Sequence, residues 1–154
     1  MTTPENEVAD LQTRVKRLED LEAIRQLFVA YGSLLDQCDF AAYGKLFADD
    51  GELLLGPMGR ARGPAAIGEL MQSRLGGGKG SSYHLIANPI IDLQGDRATS
   101  VVTWAAILRG AEGGPTLGMY GFHHDILVRQ AGAWKFLRRE GHIALPSKMP
   151  SAPK

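Results

Sequence analysis

A run of glycine and serine, Gly76 to Ser82, divides this chain into two stretches whose apolar residues repeat with different periods. Before it, apolar residues recur every three or four positions, as on one face of a helix. After it come four long β-type runs joined by two short turns. A chain that places helices first and long hairpins second has few ways to bury both kinds of apolar surface. The economical one is an α+β fold, a strongly curved antiparallel sheet wrapped around three N-terminal helices and leaving a cone-shaped cavity.

The helical half opens at Thr3-Pro4, an N-cap oxygen followed by a residue with preset backbone angle, with Glu5 and Glu7 in the first turn. Val8, Leu11, Val15, Leu18, Leu21, Ile24, Phe28, Tyr31 and Leu35 then predict one long amphipathic helix ending near Gln37. A second helix is predicted from Asp39 to Phe47, a short strand at Leu53–Leu55, and a third helix from Gly63-Pro64 to Leu75. In the β half, Tyr83–Leu93 and Arg97–Arg109 flank a Gln94-Gly95-Asp96 turn, and Thr116–Arg129 and Trp134–Ile143 flank Ala131-Gly132. Pro89 inside the first of these strands predicts a bend or bulge. Residues 1–145 read as one domain and 146–154 as a proline-rich tail.

Several function classes fall away on composition. With 17 basic against 17 acidic residues, the chain offers no electrostatic footprint for nucleic acid or for a polybasic membrane contact. No apolar run approaches a membrane span, and the polar start MTTPENEVAD is unlike a secretory leader, so a cytoplasmic location is expected. Cys38, the single cysteine, reads as a structural thiol. The Gly76–Ser82 run is not a phosphate-binding loop, because a helix precedes it and Gly80 follows Lys79 where serine or threonine is needed.

The residues with chemistry to offer are few. Asp36 closes the long helix beside its buried stripe, at the dipole's negative end, where a proton donor or cation is welcome; capping the following turn is the other reading. His84 sits early on the first long strand, and a carboxylate on one ring nitrogen would make it a stronger general base. His123 and His124 are strand neighbours, as are Arg138 and Arg139, so at most one of each pair can share the cavity, and simple solvation is the other reading for each. Tyr31, Tyr43, Trp104, Met119, Phe122 and Trp134 are candidates to line it.

Three stretches, LEDLEAIRQLFVAYGSLLDQCDFAAYGKLFADDGEL, YHLIANPIIDLQGDRATS and GFHHDILVRQAGAWKFLRREG, in this order resemble the SnoaL-like families of the nuclear transport factor 2-like superfamily. These cone-shaped α+β folds include scytalone dehydratase and hexachlorocyclohexane dehydrochlorinase. The resemblance spans about residues 18–143 and implies that Asp36 and His84 form the dyad that removes a proton in an elimination. It matches Arg139 to a pocket arginine and puts His123 at a substrate-lining place. Particular positions differ from those two lyases: Leu35 and Leu54-Leu55 stand where the first has tyrosines, and Leu53 and Tyr31 where the second has tryptophan and lysine.

The resulting expectation is a cofactor-independent lyase, a dehydratase or related β-eliminating enzyme, acting on a small cyclic or aromatic hydrophobic molecule. Asp36 and His84 are its catalytic pair; Arg139, His123, Tyr31, Tyr43, Trp104 and Met119 bind substrate. No metal is assigned, although His84, His123 and Asp36 are a conceivable ligand set. An isomerase or cyclase, or a non-enzymatic binder of hydrophobic ligands, are the alternatives. A homodimer or homotrimer is expected, because such a sheet leaves one face to be covered.

Overall fold

Pro4 starts the first helix, α1 (Pro4–Asp36), without help from a side-chain cap: the Thr3 carbonyl, not its hydroxyl, accepts the Asn6 and Glu7 N–H groups. This computed structural model describes residues 3–145, and the expected proline-rich tail lies outside the described residues. α1 has 33 residues and is therefore about 50 Å long. Only its second half lies on the sheet. Ile24, Phe28, Tyr31 and Leu35 are buried there, whereas Val8, Leu11, Val15 and Leu18 are exposed. The apolar stripe read as continuous is two separate faces.

Asp39 caps α2 (Phe40–Gly44) by accepting the Ala42 N–H at 3.0 Å. The helix stops three residues short of Phe47 because the Leu46 carbonyl accepts the Phe136 N–H and the chain turns into β1 (Phe47–Leu54). That strand is longer than Leu53–Leu55. A single 3₁₀ turn, Gly56–Met58, joins it to a short strand the sequence pattern did not mark, β2 (Arg60–Arg62). α3 (Pro64–Leu75) follows with the bounds expected.

Beyond the glycine run come β3 (Ser82–Gln94), β4 (Arg97–Arg109), β5 (Pro115–Gln130) and β6 (Ala133–Leu145), within two residues of their predicted ends. The six strands make one curved sheet in the order β2-β1-β6-β5-β4-β3, open at both edges. All neighbours are antiparallel except β1 and β6, which run parallel with Leu53 opposite Arg139. β3 shifts register between Ala87 and Ile90, around Asn88-Pro89, as the proline implied. The bulge lets His84 and Ile86, then Ile91 and Leu93, turn toward the helices despite their different parity. Ile24, Phe28 and Tyr31 of α1 meet Phe47, Leu127 and Phe136 of the sheet in the core. The helices fill one end of the concave face and leave the other as a cavity.

Candidate active site

The cavity opens between the C-terminal end of α1, α3 and the inner faces of β3 to β6, with about 700 Å³ of space including its mouth. Its wall is mostly apolar: Leu35, Leu55, Leu75 and three methionines, Met58, Met71 and Met119, whose flexible thioethers adapt to irregular ligands. Polar groups reach it from Ser82, His84, His123, Tyr31 and Trp104. No lysine or arginine is among the lining residues.

Asp36 is the last residue of α1, and its carboxylate leaves the helix end to meet β3. One oxygen, Oδ1, accepts both the His84 backbone N–H at 2.9 Å and the His84 Nδ1–H at 2.8 Å. Gly32, one turn earlier, packs closely against β3: a Cβ there would lie 3.2 Å from Ile86 Cγ1, which would have to give by a few tenths of an ångström, and 3.5 Å from the His84 carbonyl. A carboxylate on Nδ1 fixes the imidazole's tautomer with the proton on that nitrogen. The other ring nitrogen, Nε2, is then the basic one. Both side chains are largely withdrawn from solvent, and His84 itself lines the cavity.

His123 faces inward from β5, and its neighbour His124 faces out. The His123 ring stacks on Trp104, with centroids 5.6 Å apart, and meets Tyr31 edge-on at 5.4 Å. Burial first, then the Arg139 charge and the neighbouring His84 and His142, hold its pKa well below the usual histidine value. It is neutral at pH 7. Two polar atoms of this wall, His123 Nδ1 and Trp104 Nε1, are buried with no hydrogen-bond partner among the described residues.

Arg139 and Tyr43 do not reach the cavity as expected. Arg139 is fully buried and forms a bidentate pair with Asp125, Nε to Oδ1 at 2.7 Å and Nη2 to Oδ2 at 2.9 Å. Ser100 donates a further bond to Asp125 at 2.8 Å. The guanidinium is sandwiched by rings, its Cζ 4.1 Å from the Tyr31 centroid and 4.2 Å from that of Phe136. The positive charge meant for a substrate is thus neutralised beneath Tyr31. Tyr43 packs beside Tyr31 in the same layer, 5.0 Å between centroids, and burial raises both phenol pKa values. Phe122 turns to the outer face, stacked on His142, and Trp134 lies beside the middle of α1, away from the cavity, donating to Asp20.

Tyr31, Trp104, Met119, His84 and His123 therefore share the cavity, with Asp36 behind His84. Among the described residues no three His, Cys, Asp or Glu side chains are placed to hold a metal ion. Two important contributors escaped sequence reasoning. Asp125 was visible only as a carboxylate two residues from His123, on the same strand face, and Ser82 only as the start of the inward series Ser82, His84, Ile86.

Comparison with known proteins agrees with this geometry at the level of fold. No curated protein sequence matches the chain. Among solved structures, a nuclear transport factor 2-like protein with a cystatin-like fold from Novosphingobium aromaticivorans is 26% identical, with a TM-score of 0.81 over 96% of this chain and 94% of that one. A candidate scytalone dehydratase from the same organism is 27% identical, with a TM-score of 0.73 over 84% of this chain and 87% of that one. ActVI-ORFA of Streptomyces coelicolor, at 21% identity and a TM-score of 0.70 over 80% of this chain and 96% of that one, shares the fold. The SnoaL-like domain model matches residues 16–140, most of α1 and nearly all of the sheet, and the chain belongs to the SnoaL-like domain family.

Proposed function

We propose that this protein is a cofactor-independent lyase in which His84 Nε2 removes a proton from a small cyclic or aromatic substrate and Asp36 orients and stabilises the imidazole. The observation that carries this reading is the 2.8 Å contact from His84 Nδ1 to Asp36 Oδ1 at the wall of an apolar cavity. In the step proposed, the C–H electron pair becomes the new C=C bond, the bond to a β-hydroxyl or β-halide breaks, and the proton resides on His84. With the leaving group a hydroxyl, that proton leaves with it as water.

The lining residues favour a concerted elimination. With Arg139 paired to Asp125 and His123 neutral, no full positive charge borders the cavity to hold a free carbanion. The donors that remain are neutral. Trp104 and neutral His123 border the cavity, with Trp104 Nε1 and His123 Nδ1 buried and without a protein partner among the described residues. The resemblance to a candidate scytalone dehydratase supports the same reaction class.

The test is a screen of hydroxylated and halogenated cyclic compounds for loss of water or hydrogen halide, followed by variants on the best substrate. His84→Ala is expected to lower kcat by about 10²- to 10⁴-fold, and Asp36→Asn by at least about tenfold. Full turnover by both variants would end the proposal. Rearranged product of unchanged mass would assign an isomerase or cyclase instead, and saturable binding with no product would make the cavity a ligand carrier.

A further inference from the structure

Residues 3–19 are exposed on every side, and about 20 Å of α1 stands clear of the body before Arg17 donates to the Leu93 carbonyl of β3 and Asp20 ties the helix to Arg129 and Trp134. This overhang is not polar all round. Val8, Leu11, Val15 and Leu18 form one stripe, 53, 53, 51 and 64% exposed, with the 3-4-3 spacing of two heptads. Four large aliphatic side chains aligned in water on a solitary helix are a surface awaiting a partner.

We propose that the overhangs of two copies of this chain pair as a short parallel two-stranded coiled coil, with Val8 and Val15 at a and Leu11 and Leu18 at d. The residue types choose the geometry: a β-branched residue at a with leucine at d is the combination that favours two parallel strands. The flanking charges agree. Arg14 at g faces Glu19 at e of the second copy, and the reciprocal pair lies on the other side of the seam. In one chain Arg14 reaches only the exposed Asp10, 3.6 Å away across one turn, so it is able to swing. An antiparallel pair would set Arg14 beside Arg14 and lose both attractions. The seam ends where the bodies need room, since the next a and d residues are the exposed and charged Glu22 and Arg25. Two heptads would not form a stable coil from free peptides. Here each helix is already nucleated by its packed C-terminal half, so pairing extends existing order.

The test uses the full chain with Cys38→Ser and one new cysteine. Under mild oxidation, Leu11→Cys is expected to give a covalent dimer at least about tenfold faster than Thr13→Cys, whose f position points away from the seam. Equal rates at the two sites, or no dimer from Leu11→Cys, overturn the proposal. A dimer formed only when Leu11→Cys and Val15→Cys chains are mixed overturns the parallel register. In sedimentation, Arg14→Glu is expected to weaken self-association about tenfold and Arg14→Glu with Glu19→Arg to restore it. Failure of the swap to restore it also counts against the pairing. Each readout is independent of catalysis.

Discussion

Arg139 and Asp125 show how a single side chain's role turns on its partner. A pocket arginine would offer charge to a substrate; this one has spent it on a carboxylate as buried as itself. Removing one member leaves the other charged and without water. Arg139→Ala is therefore expected to destabilise the fold by about 3–5 kcal/mol in urea titration, whereas the double replacement Arg139→Met with Asp125→Leu is expected to cost less than the single change. A loss under about 1 kcal/mol for Arg139→Ala would show that the pair is not holding this layer. Residue parity was readable in advance: at most one of His123/His124 and one of Arg138/Arg139 could face inward. What parity does not reveal is the depth at which an inward side chain stops. His123 lies at the cavity wall, Arg139 one layer below it, under Tyr31.

At the scale of elements, the turns followed their residues and one of them carries removable strain. Ala131 and Gly132 join β5 to β6 with φ of 50° and 79°, a turn with both central residues in the left-handed region. Glycine adopts it freely; alanine does not. Ala131→Asn is expected to stabilise the protein by about 0.5–1 kcal/mol, measured as a higher urea midpoint at unchanged slope. An unchanged or lower midpoint would contradict the strain. The helices and long strands were legible because their periodicity runs over many residues. The α2–β1 boundary was not, since Leu46 and Phe47 continue a helical apolar pattern while the bond that ends the helix comes from Phe136, ninety residues away. β2 escaped notice for a related reason: three residues with two arginines carry no pattern, and only pairing with β1 makes them a strand.

For the molecule as a whole, burial of His123 links stability to pH. Its native pKa lies well below the value near 6.5 of an unfolded histidine, so between the two the unfolded chain binds a proton that the native state refuses. The stability this neutral His123 retains is complete above pH 6.5 and is lost as pH falls, by about 1.4 kcal/mol for each unit over which it stays unprotonated. Urea midpoints between pH 7 and 5 are expected to drop, and His123→Asn to flatten that drop; an equal slope in the variant would remove His123 as the cause. The sequence by itself determined the order of helices and hairpins and the α+β class, because periodicity, turn chemistry and residue type are local properties; the pairing of Asp36 with His84 was implied only by the family resemblance. Tertiary structure alone decided the rest. Packing of α1 against β3 brings Asp36 within 2.8 Å of His84, Asp125 withdraws Arg139 from the cavity, and only half of α1 finds a sheet to cover. Each of these depends on which distant segments meet, and at what depth, which is information that spacing along one chain does not contain.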